Sequence, residues 1–497
     1  MQRKNIYLNL IVSFITQLIT LLLGMIVPRL VLITWGSEYN GLLSSVTNIL
    51  RYLSLLEAGF NTSTLQALYK AIAKEDEEQI SIIVCTSQKY YHKISLIYAL
   101  IVCIIAFLYP LLITSEIPYW EIVLIIIFQG AVGVINFAFR ASYQQLLNAE
   151  GKYYFISLVT LLTTILSYVV KIISVLVFNS VIIMQALSVV VIIFQVSIYT
   201  VYFNKRYKWI NKNVEPNPIL LENRKYYFTQ QIAGLVFNST DTFLLSIFCG
   251  LKVASVYAVY NLVYSALHTF ISIIRNSTNF VLGQSYHQDK NKFCKIYYVY
   301  SSMQATIGGI LSSVSIIMII DFIHLYTRGI YDIDYIDFLA AFLFSFNLIL
   351  ECSRGASLAA ANIAGKAPET TSHYIAEAAI NLISSLILVN IIGMKGVLLG
   401  TSIAGLYRTT DSVIYTNNKV LGKSPSSELG MISIVFGLFF VAAYVSNFVL
   451  NLNANSYIQL IINAIIPTIC VFIVYSITFL IYNKNEVSLF CKEFKKR

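Results

Sequence analysis

Leu96-Ile97-Tyr98-Ala99-Leu100-Ile101-Val102-Cys103-Ile104-Ile105-Ala106-Phe107-Leu108-Tyr109-Pro110-Leu111-Leu112-Ile113 is apolar almost throughout and carries no charge. Its length matches the ~20 residues a helix needs to cross a ~30 Å hydrocarbon core. It shows no apolar–polar alternation, so it reads as a helix rather than a barrel strand, and only those two structures satisfy their backbone inside lipid. Working outward, the same pattern recurs along the chain. Spans are predicted over 6–33, 42–60, 90–114, 120–147, 153–178, 181–203, 225–249, 254–275, 293–321, 335–362, 371–393, 396–417, 428–450 and 456–482. The predicted fold class is therefore an all-α polytopic membrane protein with about fourteen transmembrane helices.

Composition agrees. The 497 residues are 57% hydrophobic and 12% charged, against roughly 25% charged in soluble domains. The first apolar run lacks a small-residue cleavage site and is long enough to stay in the membrane as a span. The net charge of +10 does not indicate nucleic acid, because its distribution follows the membrane. Lys and Arg fall in one set of loops, roughly 24 against 3 in the other, which by the positive-inside rule makes the first set cytoplasmic. The minority consists of Lys252, Arg328 and Lys395. Both termini are then cytoplasmic and the span count is even. The basic loops are expected to meet anionic membrane lipid. The seven cysteines form no CxxC pair and read as reduced thiols. No HExxH or similar metal spacing occurs, and no cofactor is expected. Asn61-Thr62-Ser63, Asn238-Ser239-Thr240 and Asn276-Ser277-Thr278 match the glycosylation pattern by chance, since they lie in or at the inner ends of spans.

The longest cytoplasmic connection, 204–224, carries Pro216 and Pro218 and divides the chain near its middle. The expected organisation is an N-terminal lobe over 1–203, a linker over 204–224, a C-terminal lobe over 225–418, and two extra helices with a basic tail over 419–497. The halves look related. Gly36 to Lys70 and Gly250 to Tyr286 each read as a short loop, a span, and then a polar cluster beginning Asn61-Thr62-Ser63 or Asn276-Ser277-Thr278. Six spans per half, an even number, make this a parallel repeat about an axis normal to the membrane. Transporters often bind substrate where such repeats meet.

Charges inside spans are costly and usually face a cavity or a partner. Arg29, Arg140, Arg275, Asp321 and Arg408 lie near span ends, where snorkelling makes them cheap. Glu351 with Arg354, and Arg408 with Asp411, are spaced i,i+3 and read either as local compensation or as functional pairs. Arg51 lies mid-span in Asn48-Ile49-Leu50-Arg51, with Asn48 one turn away. Lys171 has no carboxylate within a turn of it. Asp241, after Asn238-Ser239-Thr240, and Glu377 supply acids in the second half. Each of these four either lines a polar passage or forms an interhelical ion pair. Cations weighted to the first half suit an anionic substrate. Asp241, Glu377 and Glu57 are the candidates for coupling an ion.

Several stretches resemble the polysaccharide flippases of the multidrug/oligosaccharidyl-lipid/polysaccharide exporter superfamily. They are Pro28-Arg29-Leu30, Gly36-Ser37-Glu38-Tyr39-Asn40-Gly41-Leu42, Leu56-Glu57-Ala58-Gly59-Phe60 and Leu68-Tyr69-Lys70, followed by Leu146-Leu147-Asn148-Ala149-Glu150, Glu377-Ala378-Ala379-Ile380-Asn381-Leu382-Ile383-Ser384-Ser385 and Gly396-Val397-Leu398-Leu399-Gly400-Thr401. The resemblance covers the whole chain. It implies two six-helix lobes around a central cavity and alternating-access translocation of undecaprenyl-pyrophosphate-linked glycan repeat units across the bacterial plasma membrane. Polysaccharide polymerase machinery becomes a candidate partner, and a working monomer is expected. Asn48 to Gly59 is also similar to the second helix of the related lipid II flippases, in which an arginine at the position of Arg51 faces the cavity. Those flippases also place a cation in the eighth span. Here that span offers Asn261 and His268 at its middle and Arg275 at its inner end. The substrate candidates are thus Arg51, Asn48, Lys171 and Arg275. No Walker A sequence is present, so an ion gradient, the membrane potential or product removal must supply the energy.

Two other classes compete. A multidrug exporter of the same superfamily would be expected to have a cavity dominated by acids, to suit cationic substrates. An integral-membrane glycosyltransferase or polysaccharide polymerase would need a sizeable outer loop; the longest here, about His324 to Asp337, is short.

Overall fold

The computed structural model describes residues 19–20, 23–57, 60, 64, 67–68, 71–72, 76–150, 152–211, 214, 240–288, 290–448 and 454–484. The predicted span over 6–33 and the one over 225–249 therefore lie partly outside the described residues, as do Asn61-Thr62-Ser63, most of the 204–224 linker and the basic tail.

Among the described residues every extended element is a helix. In chain order they are α1 Leu23–Trp35, α2 Ser37–Tyr52, α3 Glu77–Leu112, α4 Tyr119–Ile135, α5 Ala141–Ala149, α6 Tyr153–Ile173, α7 Val181–Arg206, α8 Leu251–Gln288, α9 Lys290–Tyr326, α10 Phe338–Ile363, α11 Ala367–Ile392, α12 Met394–Tyr415, α13 Ser426–Phe448 and α14 Tyr457–Tyr482. A further helical stretch covers 240–248. Among the described residues nine helices are long and apolar enough to cross a membrane. The second, eighth and twelfth predicted spans fall on α2, α8 and α12, helices below that length or apolarity.

Helix ends follow local chemistry. Asp76 caps α3 through a hydrogen bond from the Gln79 amide (2.9 Å), with Glu77 and Glu78 in the first turn, where the helix dipole favours anions. Ser180 and Ser456 cap α7 and α14 in the same way. Gly36 and Gly250 precede α2 and α8 with φ of 83° and 87°, a left-handed conformation that costs glycine little. Their spacing matches the repeat read from the sequence.

By contact density the chain forms two units: Met1–Leu235 with Gly250–Ser255, and Val236–Cys249 with Val256–Arg497. The two helices placed outside the repeat, α13 and α14, fall in the second unit. In the first unit α4 packs on α3 and α7, and α6 on α7. Its inner core stacks Tyr143 on Phe203 (4.2 Å between ring centroids) and includes Tyr207. Tyr207 donates to Glu150 (2.5 Å), which also pairs with Lys152, so the loop between α5 and α6 is tied to the end of α7. Burial and the adjoining carboxylate push the Tyr207 hydroxyl well up from its ordinary value.

In the second unit α9 packs on α10, α13 and α14, and α11 forms a close hairpin with α12. Gly396 and Gly400, spaced i,i+4, allow that approach: a Cβ at Gly396 would stand 2.2 Å from the Leu388 carbonyl oxygen, and one at Gly400 2.5 Å from Ser385 Oγ. Small residues at such spacing bring membrane helices together. Gly396→Ala is expected to destabilise the protein by about 1–3 kcal/mol through overpacking, read as a lower melting temperature in detergent; an unchanged melt would show that the hairpin relaxes freely.

Two helices show how burial and hydropathy part. The most apolar window of α14 is only 11% buried within the protein, whereas α10, the least apolar of the nine, is 72% buried. α14 displays Ile458, Ile462, Ile466 and Phe472 outward, as a lipid-facing helix does. α10 sits inside its unit and carries Glu351 and Arg354.

Candidate functional site

In the first unit, α2 presents Asn48 and Arg51 on its last two turns. Asn48 is buried; Arg51 is exposed. The predicted continuous span over 42–60 is broken here. α2 ends at Tyr52 and a 3₁₀ turn covers Leu53–Glu57, so Arg51 sits at a helix end rather than mid-helix. That position suits a cation, because helix C-termini favour positive charge. Nearby polar side chains continue the face: Gln129 of α4 donates to Thr47 (2.6 Å). Glu57 follows the 3₁₀ turn and accepts a hydrogen bond from the Tyr91 hydroxyl, while Tyr91 also receives one from Gln145. Lys171 lies on α6, whose helical path continues as a π turn over Ser174–Phe178, the predicted end of the span. Its ammonium stands 5.7 Å from the Tyr168 ring, and it forms no ion pair among the described residues.

The second unit holds three polar clusters. Asp241, 4% exposed, accepts hydrogen bonds at Oδ2 from the hydroxyls of Tyr257 and Thr401, both at 3.0 Å. Its Oδ1 is buried with no partner. Asn381 donates to the same Thr401 hydroxyl (3.0 Å), and its own Oδ1 is likewise buried and unpartnered. Two orphaned acceptor oxygens therefore flank one hydroxyl. Buried acceptors left unpaired are uncommon and call for a physical reason.

Glu351 is the second centre. It meets His268 Nε2 at 2.7 Å, Arg275 Nη2 at 3.5 Å and the Tyr264 hydroxyl at 2.8 Å, all from α8. Arg275 is therefore part of an interhelical pair. The third cluster joins α10, α11 and α12. Glu377 pairs with Arg354 and lies 3.4 Å from Arg408 Nε. Arg408 also meets Asp411 (2.9 Å), which meets His373 (2.8 Å). The Arg408 guanidinium stands 4.2 Å from the Tyr374 ring centroid, at cation–π distance.

Two sequence readings are corrected here. Arg408 does not snorkel: it is 1% exposed, held by acids from two helices. Glu351 and Arg354 do not simply compensate each other along α10; Glu351 reaches α8, and Arg354 reaches Glu377 on α11. The sequence does not reveal that Thr401 bonds Asp241 or that Asn381 bonds the same Thr401. Both lie in stretches that carry the family resemblance, Glu377 to Ser385 and Gly396 to Thr401, but nothing in those stretches joins them to Asp241. No group of three or more His, Cys, Asp or Glu side chains suited to a metal ion occurs among the described residues.

No protein-family model matches the chain, and no curated protein matches it. Solved structures do. A multidrug-resistance MATE family transporter of the MOP superfamily, in an inward-facing conformation, aligns with a TM-score of 0.67 at 14% identity, covering 86% of this chain and 99% of that one. The fold is that of the MOP-superfamily transporters. Lipid II flippase MurJ, in an inward closed conformation, aligns with a TM-score of 0.68 at 14% identity, covering 96% of this chain and 100% of that one. A MOP superfamily transporter from Pyrococcus furiosus, described as having a binding pocket of reverse polarity, aligns with a TM-score of 0.58 at 15% identity over 85% of this chain and 96% of that one. The chain is thus an all-helical, multi-span membrane protein with the MOP fold, and the alignments extend over nearly the whole of each neighbour.

Proposed function

We propose that this protein is a flippase, not an enzyme, that moves undecaprenyl-pyrophosphate-linked oligosaccharide repeat units across the bacterial plasma membrane by alternating access, for cell-surface polysaccharide synthesis. The observation that carries this reading is the distribution of charge. The first unit offers Arg51, exposed on a membrane helix beside buried Asn48, and Lys171 without an ion pair among the described residues. The acids Glu351, Glu377 and Asp411 of the second unit are all engaged by bases. Cations at membrane depth need water or an anion, and a pyrophosphate cannot leave water uncompensated. Arginine binds phosphate oxygens bidentately. A wet basic passage would carry the head group while the prenyl chain stays in lipid, and no covalent step is required.

The bias of Lys and Arg supports cytoplasmic termini, with 1–203 and 225–418 as the two lobes and 419–497 as an addition. Asp241, with Thr401 and Asn381, is the proposed site of the coupling ion. Glu377, held between two arginines, and Glu57, bound to Tyr91, are less open to one.

The competing reading, a multidrug exporter, is favoured by the alignment with the MATE transporter. Proteoliposomes holding the purified protein separate the two. Wild type is expected to translocate an undecaprenyl-pyrophosphate oligosaccharide, and Arg51→Ala to do so at least about tenfold more slowly through loss of charge-assisted contacts. Export of a cationic dye without lipid translocation would reverse the assignment. Equal flipping by both proteins would keep the function and remove Arg51 from the site.

A further inference from the structure

A second polar feature of the second unit lies apart from the charges considered above. Where α9, the start of α13 and the end of α14 meet, they enclose a cavity of about 460 Å³. Ser302 and Tyr298 of α9, Lys423 and Ser424 of the preceding loop, Ser426 and Ser427 of α13, and Tyr482 of α14 line it. For a junction of membrane helices this lining is unusually rich in hydroxyls.

Its hydrogen-bond inventory is lopsided. Glu428 also borders the cavity but is saturated: Tyr297 donates to it at 2.9 Å, Asn417 at 2.6 Å and Ser357 at 3.2 Å, and Ser301 donates as well. Tyr298 donates to Asn417 (2.7 Å), Tyr482 to the Ser427 carbonyl, and Ser424 pairs with Ser426 (3.0 Å), which leaves Ser302, Lys423 and the start of α13. The Ser302 hydroxyl is on a residue only 6% exposed and has no partner among the described residues. Lys423 forms no ion pair among them either, and its ammonium stands 5.5 Å from the Tyr298 ring centroid. The first-turn amides of α13 lack intrahelical acceptors, as at any helix start; Ser424 Oγ takes the Ser426 amide at 3.4 Å. An unpartnered hydroxyl on a residue that lines the cavity, a lysine and a helix N-terminus thus converge on one space. Spare donors with positive potential call for an acceptor-rich anion, and helix N-termini bind phosphate for this reason.

We propose that this cavity is a binding site for a phosphate group, separate from the translocation pathway. Lys423, Ser302 and the start of α13 hold it. With the cytoplasmic orientation proposed above, the phosphate belongs either to the head group of an inner-leaflet anionic phospholipid or to a soluble phosphoester. The site does not depend on what the protein transports.

The test uses the full-length protein in detergent and two variants. Lys423→Gln removes the cation at an exposed position; Ser302→Leu fills the cavity without changing charge. Native mass spectrometry with phosphatidylglycerol, and with diacylglycerol as the phosphate-free control, reads lipid retention. Thermal melting with and without millimolar inorganic phosphate reads the soluble arm. Wild type should retain phosphatidylglycerol over diacylglycerol, or melt higher in phosphate, and each variant should weaken that response by roughly tenfold, the worth of one charge-assisted bond. A lipid response alone identifies a head group, and a phosphate response alone a soluble ligand. If Ser302→Leu lowers the ligand-free melt, Lys423→Gln decides. Both variants responding like wild type, or wild type responding to neither probe, overturns the proposal.

Discussion

Glu377→Gln is expected to lower the stability of the purified protein by about 3–5 kcal/mol, the cost of leaving a buried charge without its partner. Glu377 joins two guanidiniums, Arg354 and Arg408, whose side chains are 10% and 1% exposed. Glutamine keeps the shape but supplies no charge. Arg408 would keep Asp411 and the Tyr374 ring; Arg354 would lose its closest acid. Within a helical bundle neither arginine can reach the membrane surface to recover solvation, because packing on α11 and α12 holds both in place. The measurement is thermal melting in detergent, with Arg354→Met/Glu377→Gln as the control. The double variant removes the orphaned charge together with its partner, so it should recover part of the loss, since contacting residues couple strongly. A single variant that melts like wild type would show that the cluster is wet and loosely held. Lys366 and Glu369 form an exposed pair in the first turn of α11, and Lys366→Gln should leave the melt unchanged because exposed pairs contribute little.

The cluster also shows where sequence reading stops. The polytopic helical fold was legible because each span must present an apolar surface to lipid, and that requirement is written residue by residue. Gly36 and Gly250 were legible as loop positions for a similar reason: each precedes a helix and takes a φ value that favours glycine. Charges inside spans were visible as residue types. Their partners were not, because partners come from neighbouring helices far along the chain. Arg408 looked cheap by its distance from a span end, yet burial depends on what stands across from it, and α11 places Glu377 there. Glu351 and Arg354 share one helix face, but each side chain reaches a different neighbour. α10 makes the same point at the scale of a helix. Its lower hydropathy resembles a weak span, whereas its high burial shows that protein, not lipid, surrounds it.

Asp241→Asn should abolish ion-driven accumulation of substrate while leaving the fold nearly intact. The carboxylate accepts two hydrogen bonds at Oδ2, from Tyr257 and Thr401, and an asparagine carbonyl can accept both. What it cannot supply is the negative charge and the second acceptor, Oδ1, which has no partner among the described residues. Loss of that acceptor costs no existing bond, so stability without ions should change by less than about 1.5 kcal/mol, as for other near-isosteric replacements. The functional consequence is larger. A cation at Asp241 Oδ1 and Asn381 Oδ1 would compensate a buried charge, so its binding energy would be tied to the conformation that assembles these three helices; only such differential binding can shift a conformational equilibrium. In proteoliposomes, uphill transport driven by a Na⁺ or proton gradient should vanish in Asp241→Asn, and downhill equilibration should persist. Asn381→Leu distinguishes the two ions. It removes a ligand that Na⁺ needs and a proton does not, because a proton binds the carboxylate alone. Sodium-dependent transport should then fall while proton-driven transport survives. Uphill transport at the wild-type rate in Asp241→Asn would place the coupling elsewhere, with His268 beside Glu351 the next group to replace.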